Sequence, residues 1–240
     1  MNRLTDRLQI IADEVKKGET MADIGTDHGF LPLYLWEKGI SPKVIMCDIS
    51  EPSLAKAKGA AGSYQFGSEL SFRAGDGLRV LDSGEVDDIV IAGMGGLLIV
   101  DILSDDMNKT MSFKKYIFQP RNNSGRLRYW LVSHGFDITR NQLVREGKFI
   151  CEVITAISPK SSEKANLSLS GYEYSEDSPY WDLPKEILGT QRDLAVEYAR
   201  IKEGIDIKIL EGIKKGSEID DEEVRKQEER LEYWRNFYEL

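Results

Sequence analysis

The sequence is poor in the residues that build metal sites and disulfides. It contains two cysteines and two histidines in 240 residues, and they do not fall in the paired spacings typical of zinc ligands. Cys47 and Cys151 both lie in apolar, strand-like runs, so we interpret them as buried thiols of a cytosolic protein. We expect no bound metal.

Long apolar runs are absent as well. No stretch of 18 apolar residues occurs, and Met1 is not followed by the charged, apolar and small segments of a secretion signal. We therefore predict neither a membrane span nor a signal peptide, and we expect a cytoplasmic location. An apolar content of 41% is enough for a sizeable core, in one domain or in two unequal ones.

Charge is distributed unevenly along the chain, whose net charge is −9. Residues 1–160 contain 20 Lys and Arg against 21 Asp and Glu (net −1), whereas residues 161–240 contain 12 against 20 (net −8). Residues 109–148 hold nine basic and two acidic side chains, a local excess of +7. The overall acidity argues against a nucleic-acid partner, but this basic segment is typical of a surface that contacts one.

Short apolar runs alternate with helical segments over residues 1–157. We predict a first helix over 2–17 and a first strand that ends at Asp23. Further strands are predicted over 43–48, 70–74, 88–92 and 115–119, with helices over 50–61, 97–103 and 125–133. This order predicts a parallel sheet with right-handed crossovers, whose ligands bind at the carboxyl ends of the strands. Runs over 137–145 and 149–157, joined by Glu146-Gly147-Lys148, predict a closing antiparallel hairpin.

The last third of the chain has a different pattern. Residues 158–178 are polar and rich in serine, which is typical of a connector. From Pro184 onward the pattern predicts two helices that pair antiparallel, with a break at Gly216-Ser217. The apolar stripe predicted for the first helix comprises Ile187, Leu188, Leu194, Tyr198, Ile201, Ile205, Ile209 and Ile213. We predict one domain over 1–160 and a connector with a helical hairpin over 161–240.

The turn after the first strand has the clearest pattern of a ligand site. It reads Asp23-Ile24-Gly25-Thr26-Asp27-His28-Gly29 and leads into a helix. A strand, glycine turn and helix bring backbone N–H groups and a helix N-terminus to a ligand. The G-x-G-x-x-G spacing of dinucleotide folds is not met. The D-h-G-x-G-x-G motif of S-adenosyl-L-methionine (AdoMet)-dependent methyltransferases fits except at Asp27, and a purely structural turn is the other alternative.

Three more strand ends carry candidate residues. Asp48 ends the second strand, where a carboxylate can accept ribose hydroxyls or, alternatively, cap a helix. Gly75-Asp76-Gly77 can admit an adenine edge, or it is an unliganded turn. Gly93-Met94-Gly95-Gly96 leaves the fourth strand end almost without side chains, so a cofactor and a substrate can approach the backbone closely. Met94 is either a neighbour of the reacting centre or a gap filler.

Asp27 and His28 stand where the first motif meets the sulfonium end of an AdoMet-like cofactor. A carboxylate there can attract the sulfonium or a cation that develops on the substrate. Alternatively, Asp27 ties down its own turn. His28 either orients a ring or satisfies a backbone carbonyl.

With Asp-Ile-Gly-Thr-Asp-His-Gly, Ile-Ala-Gly-Met-Gly-Gly and Gln-Pro-Arg-Asn-Asn-Ser in this order, the chain resembles the TrmK family of bacterial tRNA (adenine-22-N1)-methyltransferases. The resemblance covers residues 1–157 closely and the helical hairpin loosely. It implies an α/β fold, a class I methyltransferase (Rossmann-like) sheet with a C-terminal antiparallel coiled-coil hairpin. It also implies AdoMet-dependent methylation of N1 of an adenine in the D-loop region of tRNA. Arg121 stands where the family has Asn and adds a phosphate-binding charge.

The resemblance also assigns roles to individual residues. Asp27 and Met94 are expected to be catalytic, and Arg3, Arg7, Arg121, Asn122 and Arg126 to bind the substrate. The expected AdoMet contacts are Asp23, Gly25, Thr26, His28, Gly29, Asp48, Ile49, Gly75, Asp76, Gly77, Gly93, Gly95 and Gly96. Domain 1–160 would bind AdoMet and catalyse, and segment 161–240 would bind tRNA. We expect a monomer whose partners are AdoMet and tRNA, with no metal and no membrane.

The implied chemistry is mainly a problem of positioning. N1 of adenine has a free lone pair at neutral pH, so no base has to remove a proton before attack. The base must instead be exposed or flipped out of a folded tRNA. Two rival functions stay open: an AdoMet-fold scaffold that binds RNA or protein without catalysis, and a methyltransferase for a small molecule or protein. AdoMet binding tests the first, and the salt dependence of substrate binding tests the second.

Overall fold

The structure, a computed structural model, describes residues 3–62, 65–162, 174–216 and 220–239. The chain forms two compact units, Met1–Glu173 and Tyr174–Leu240. The sequence-based boundary after residue 160 precedes this division. The middle of the predicted connector, residues 163–173, lies outside the described residues, as does Ser217 of the predicted break.

The first unit is built on a seven-stranded sheet with the strand order β3-β2-β1-β4-β5-β7-β6. Strands β1 to β5 are parallel, whereas β7 runs antiparallel to β5 and to β6. The strands are β1 (Met21–Ile24), β2 (Val44–Asp48), β3 (Leu70–Ala74), β4 (Asp88–Met94), β5 (Lys115–Pro120), β6 (Asp137–Glu146) and β7 (Phe149–Ile157). The predicted parallel sheet with a closing antiparallel hairpin is therefore confirmed.

Helices cover both faces of this sheet, because alternate residues of each central strand point in opposite directions. The helices of this unit are α1 (Asp6–Asp13), α2 (Phe30–Glu37), α3 (Glu51–Ala61), α4 (Gly96–Ser104), α5 (Met107–Thr110) and α6 (Ser124–Ser133). Ala22 and Ile24 of β1 belong to one apolar cluster, with residues of α4 and α6, and Met21 belongs to a second, with residues of α1, α2 and α3. Cys47 is buried and Cys151 is half-buried, and both are free thiols.

Helix α1 is shorter than the predicted segment 2–17. The side-chain oxygen of Thr5 accepts a hydrogen bond from the backbone N–H of Leu8, so the helix begins after Thr5. It ends at Asp13, and the chain then turns through Gly18, which has a φ of 96°. The apolar periodicity continues beyond both ends of the helix because the flanking turns also pack on the sheet.

The second unit contains the predicted antiparallel helical hairpin. The α-helices described in this unit are α7 (Pro179–Asp182), α8 (Leu188–Lys215) and α9 (Asp221–Glu239), and the hairpin is formed by α8 and α9. A buried carboxylate joins the two long helices: Asp206 accepts hydrogen bonds from Trp234 Nε1 at 2.6 Å and from Arg230 Nε at 3.1 Å. Arg230 Nη2 also donates to Asp182 of α7 at 2.6 Å.

The apolar stripe predicted on α8 is wrong in its central part. Ile201, Ile205 and Ile209 are 43–50% exposed, whereas Ala195, Ala199 and Asp206 are buried. Small side chains let two helices approach closely, and Asp206 accepts hydrogen bonds from α9. The helix therefore buries the face with Ala195, Ala199 and Asp206 and leaves the isoleucines exposed. None of the described helices is long and apolar enough to cross a bilayer.

Candidate functional site

A cavity of about 740 Å³ opens at the carboxyl edge of the parallel strands. Its volume lies within the range of roughly 300–1,000 Å³ that is typical of small-molecule sites. The turns that follow β1, β2, β3 and β4 all contribute to its wall, which is lined by residues 23–31, 47–49, 75–77 and 92–94. The rest of the wall comes from α1 and the residue before it, from α4 and from the loop after β5, and consists of Thr5, Arg7, Leu8, Leu98, Ile102 and Arg121. The structure thus brings together the strand ends that the sequence singled out.

The turn after β1 is fixed by hydrogen bonds to β2. The backbone N–H groups of Gly25 and Thr26 both donate to the carbonyl oxygen of Cys47, at 2.8 and 2.9 Å. Gly25 has a φ of 82°, a left-handed conformation that favours glycine. A Cβ on Gly25 would lie 2.2 Å from the Cε of Met94. The Met94 side chain therefore lies directly against this turn, in the wall of the cavity.

Asp23 is the buried acid of the site, with 8% of its surface exposed. The Thr26 hydroxyl donates to its Oδ2 at 2.5 Å. Burial raises the pKa of Asp23 to about 6 and the charge of Asp48 acts in the same direction, while Thr26 and Arg7 partly oppose them. A cationic ligand group beside Asp23 would favour its ionised form.

Asp48 and Ile49 form the part of the wall that follows β2. Asp48 Oδ1 accepts a hydrogen bond from the backbone N–H of Ser50 at 2.7 Å, so this acid does help to begin the turn into α3. The carboxylate nevertheless lines the cavity, beside Ile49, which is 74% exposed. Gly75, Asp76 and Gly77 lie beside them in the same wall, where the backbone N–H of Gly75 donates to the carbonyl oxygen of Asp48 at 3.0 Å.

Asp27 lies at the rim of the cavity in a small charge cluster. Its side chain is 57% exposed, and it contacts Lys56 Nζ at 2.8 Å and His28 Nε2 at 3.2 Å. The hydrogen bond from Lys56 holds the pKa of Asp27 below its usual range. Sequence reasoning missed Lys56, because its position in α3 resembles any solvent-facing lysine of a helix.

An aromatic pair borders the same rim. The rings of His28 and Phe30 are stacked, with centroids 5.1 Å apart and planes inclined by 7°. Phe30 lines the cavity although it is 51% exposed. It was also missed: the only signal was a large apolar side chain at the first position of a helix, where solvent is near.

Gly95 and Gly96 have a packing role in the structure. The backbone N–H of Gly96 donates to the carbonyl oxygen of Asn122 at 2.9 Å. A Cβ on Gly96 would lie 2.3 Å from the carbonyl oxygen of Asn123, and one on Gly95 would lie 3.1 Å from Asn122 Oδ1. The two glycines therefore let the loops after β4 and β5 pack together, whereas Gly93 and Met94 line the cavity.

The predicted substrate residues occupy different environments. Arg121 lines the cavity and lies near Gly93. Arg7 also lines it, but its Nε donates to Glu146 Oε2 at 2.5 Å and its Nη1 to Gln119 Oε1 at 3.0 Å. Exposed residues Arg3 and Asn122, and half-buried Arg126, lie outside the wall described above.

The basic segment 109–148 does not form one continuous surface. Lys114 precedes β5 and Lys115 begins it, at the opposite edge of the sheet from the cavity. Lys114 pairs there with Asp87, and Lys115 pairs with Glu19 and Asp88. Arg128 is buried against Glu152, with Nη2 and Oε2 2.6 Å apart. Strand direction and helix packing disperse these charges, which a count along the sequence cannot show. Within the described parts of the chain, no group of three or more His, Cys, Asp or Glu could hold a metal ion.

Comparisons with known proteins show which family the chain resembles. The profile of a family described as Methyltransferase domain matches residues 4–154. The Bacillus subtilis (strain 168) protein tRNA (adenine(22)-N(1))-methyltransferase is 34% identical over 154 residues, which cover 64% of this chain and 65% of that protein. This alignment spans just under two thirds of the relative's length.

Two solved structures extend the likeness over nearly the whole chain. The crystal structure of the B. subtilis tRNA methyltransferase TrmK is 26% identical, with a TM-score of 0.80, and the match covers 98% of this chain and 99% of that one. A Streptococcus pneumoniae protein solved in complex with AdoMet has the same fold, with a TM-score of 0.80 at 22% identity. That match covers 98% of this chain and 100% of the other.

Proposed function

The chain belongs to the methyltransferase-domain family, and within it to the TrmK family, and from this premise we propose that it transfers the methyl group of AdoMet to N1 of adenine 22 in tRNA. The observation that carries the proposal is the convergence of four strand-end turns on one cavity of about 740 Å³. Both acids that a nucleoside with a cationic tail requires, Asp23 and Asp48, line this cavity.

The residues of the cavity fit AdoMet part by part. Asp23, buried at the end of β1, would hold the cationic amino group of the methionine tail. Asp48 would accept the ribose hydroxyls, and the exposed side chain of Ile49 would cover a face of the adenine. The Met94 side chain fills the space beside Gly25, so a ligand at this turn would contact Met94. When bound, AdoMet supplies an electrophilic methyl group on a sulfonium sulfur.

Residues at the rim would position the target base. His28 and Phe30 form a stacked, solvent-facing aromatic pair on which an extruded adenine can stack. The chain needs no general base, because the lone pair of N1 is free at neutral pH. Its residues therefore act by alignment, which is the larger part of the task in this reaction.

Asp27 would stabilise the positive charge that methylation leaves on the adenine. Its carboxylate is ionised at neutral pH, and the hydrogen bond from Lys56 holds its pKa below the usual range. Lys56 and His28 share this carboxylate, so the cationic base would compete with them for it. Arg121 and Arg7 lie in the cavity wall where they can hold a phosphate that flanks the target nucleotide.

The wider setting follows from a tRNA substrate. With tRNA as the substrate, the reaction would take place in the cytoplasm, and we propose the monomer as the active unit. Segment 161–240 would orient the tRNA on domain 1–160, which binds AdoMet and carries the reaction.

Transfer of label tests the proposal. The chain is incubated with AdoMet tritiated in its methyl group and with unmodified tRNA, which is then digested to nucleosides. We expect the label in 1-methyladenosine. A protein that binds AdoMet but transfers no label would be a scaffold. Label in a protein or small molecule, with binding insensitive to salt, would identify a different methyltransferase.

A further inference from the structure

The hairpin of β6 and β7 extends beyond the edge of the sheet at which the cavity opens. Phe118 of β5 pairs with Ile154 of β7, and the strands are antiparallel. Two further steps along this register set Pro120, the last residue of β5, opposite Glu152, so Phe149 lies three residues farther out. At about 3.3 Å per residue, the tip projects on the order of 10 Å past the end of β5.

The tip presents an aromatic ring together with basic side chains. Glu146 pairs with Phe149, so the loop consists of Gly147 and Lys148. Phe149 is 63% exposed, and the Nζ of Lys148 lies 5.2 Å from the centroid of its ring. Arg145 and Lys148 are also exposed. A large exposed aromatic ring beside cations is the combination that binds single-stranded nucleic acid, by stacking on bases and by attracting phosphates.

One arginine connects this tip to the cavity. Arg7 lines the cavity and donates to Glu146 Oε2 at the tip and to Gln119 Oε1 at the end of β5. The two side chains of this ion pair are only partly exposed to solvent, Arg7 to 23% and Glu146 to 32%. The hairpin is therefore held beside the part of the cavity wall that contains Arg7.

We propose that the tip of the β6–β7 hairpin is a tRNA contact, in which Phe149 stacks on an unpaired base near the target and Lys148 and Arg145 approach the adjacent phosphates. This inference rests on the proposed function, because it takes tRNA as the substrate. It adds a stacking position outside the cavity, next to the last two basic residues of the segment 109–148.

Substitution of Phe149 tests the stacking. We expect Phe149→Ala and Phe149→Leu each to weaken tRNA binding at least about fivefold, because both remove an aromatic face. Phe149→Trp should bind within about twofold of the unaltered chain. Lys148→Ala should lower the slope of log affinity against log salt by about one. AdoMet affinity and the melting temperature should stay unchanged in all four variants.

Phe66→Ala is the matched control. Phe66 is also exposed, at 39%, but it precedes β3 at the opposite edge of the sheet, so this variant should bind tRNA normally. Equal tRNA affinity of the Phe149→Ala and unaltered chains would overturn the proposal, as would a Leu variant that behaves like Trp. If the unaltered chain binds tRNA through Phe149 but transfers no methyl group, the proposed function fails and this contact stands. If it methylates tRNA with or without Phe149, the contact fails alone.

Discussion

At the scale of single residues, the cavity has one buried acid and one exposed acid, and their pKa values shift in opposite directions. Asp23 is almost fully buried and has a raised pKa, whereas Asp27 at the rim has a lowered one. The difference follows from their surroundings: burial disfavours a carboxylate, and a nearby lysine favours it. One acid is thus suited to a charged group enclosed with it, and the other to a charge that forms at the surface.

The raised pKa of Asp23 predicts pH-dependent binding of AdoMet. Below about pH 6 the carboxyl is protonated and loses its attraction for a cationic amino group. Affinity measured by calorimetry should therefore rise with pH through about 6 and level off above it. In Asp23→Asn the affinity should be weaker and should lack this step. An unchanged step in the Asn variant would assign the titration to another group.

The same residue has an opposite effect on the stability of the unliganded protein. A carboxyl whose folded pKa is about 6, against about 3.9 when unfolded, binds more protons in the folded state. Its contribution to the free energy of unfolding is complete below about pH 4 and is lost as the pH rises through 6. Stability and AdoMet binding therefore change in opposite directions over this interval.

Many residues of the candidate site could be predicted from the sequence. The glycines and acids at the strand ends stand out because each turn of a parallel sheet is short and its residue types are restricted. Lys56 and Phe30 were missed, since a lysine of α3 and the first residue of α2 acquire their roles only through the packing of these helices beside the turn after β1.

Among the secondary-structure elements, α6 and the β6–β7 hairpin are joined by a buried polar network. Arg128 and Glu152 are nearly inaccessible, and their Nη2 and Oε2 atoms lie 2.6 Å apart. Ser124, the first residue of α6, donates to Glu152 Oε1 at 2.7 Å. Arg128 Nε donates to Asn141 of β6 at 2.8 Å. The network therefore fixes α6, and with it the loop that carries Arg121, against both strands of the hairpin.

Breaking this network should be costly. In Glu152→Met, Arg128 keeps a buried charge without its carboxylate, so we expect a loss of about 3–5 kcal/mol in the free energy of unfolding. The double variant Arg128→Met with Glu152→Met should recover much of it, because neither charge is then buried. Glu211→Gln, which breaks an exposed pair with Lys215, serves as the control and should change stability by less than about 1 kcal/mol. Additive losses in the double variant would refute the coupling of the pair.

Elements were easier to predict than the faces they bury. Strands with continuous apolar runs and a short, glycine-containing hairpin connection leave few alternatives, so the sheet was predicted from the sequence. The face of α8 was not: Ile201 and Ile205 are apolar but exposed, while Asp206 is buried because Trp234 and Arg230 on α9 supply its donors. Such a partnership between distant residues has no local pattern.

At the scale of the whole molecule, the two compact units are consistent with AdoMet binding in one unit and tRNA recognition in the other. All seven strands and the entire cavity lie in Met1–Glu173. The second unit has its own buried core around Trp234 and Asp206. Each unit therefore buries its own apolar residues. Under the proposed function, the acidic segment 161–240 would recognise tRNA by shape or through a few basic side chains.

Removal of the second unit should leave AdoMet binding intact. We expect a fragment that ends at Glu173 to bind AdoMet with the affinity of the full chain, measured by calorimetry. It should methylate tRNA poorly, chiefly because tRNA binds more weakly: phosphate contacts in the first unit hold the nucleic acid without selecting a base. Single-turnover rates at rising tRNA concentration separate weaker binding from slower transfer. A fragment fully active on tRNA would show that the helices serve another purpose.

The central claim is that this cavity delivers a methyl group to N1 of one adenine. The most direct measurement compares single-turnover transfer from tritiated AdoMet to three tRNAs that differ only at position 22. They carry adenosine, guanosine or 1-deazaadenosine, which keeps the shape of adenosine but lacks the N1 atom. We predict transfer to the adenosine tRNA alone, with comparable binding of all three. Equal labelling of the 1-deazaadenosine tRNA would contradict the account.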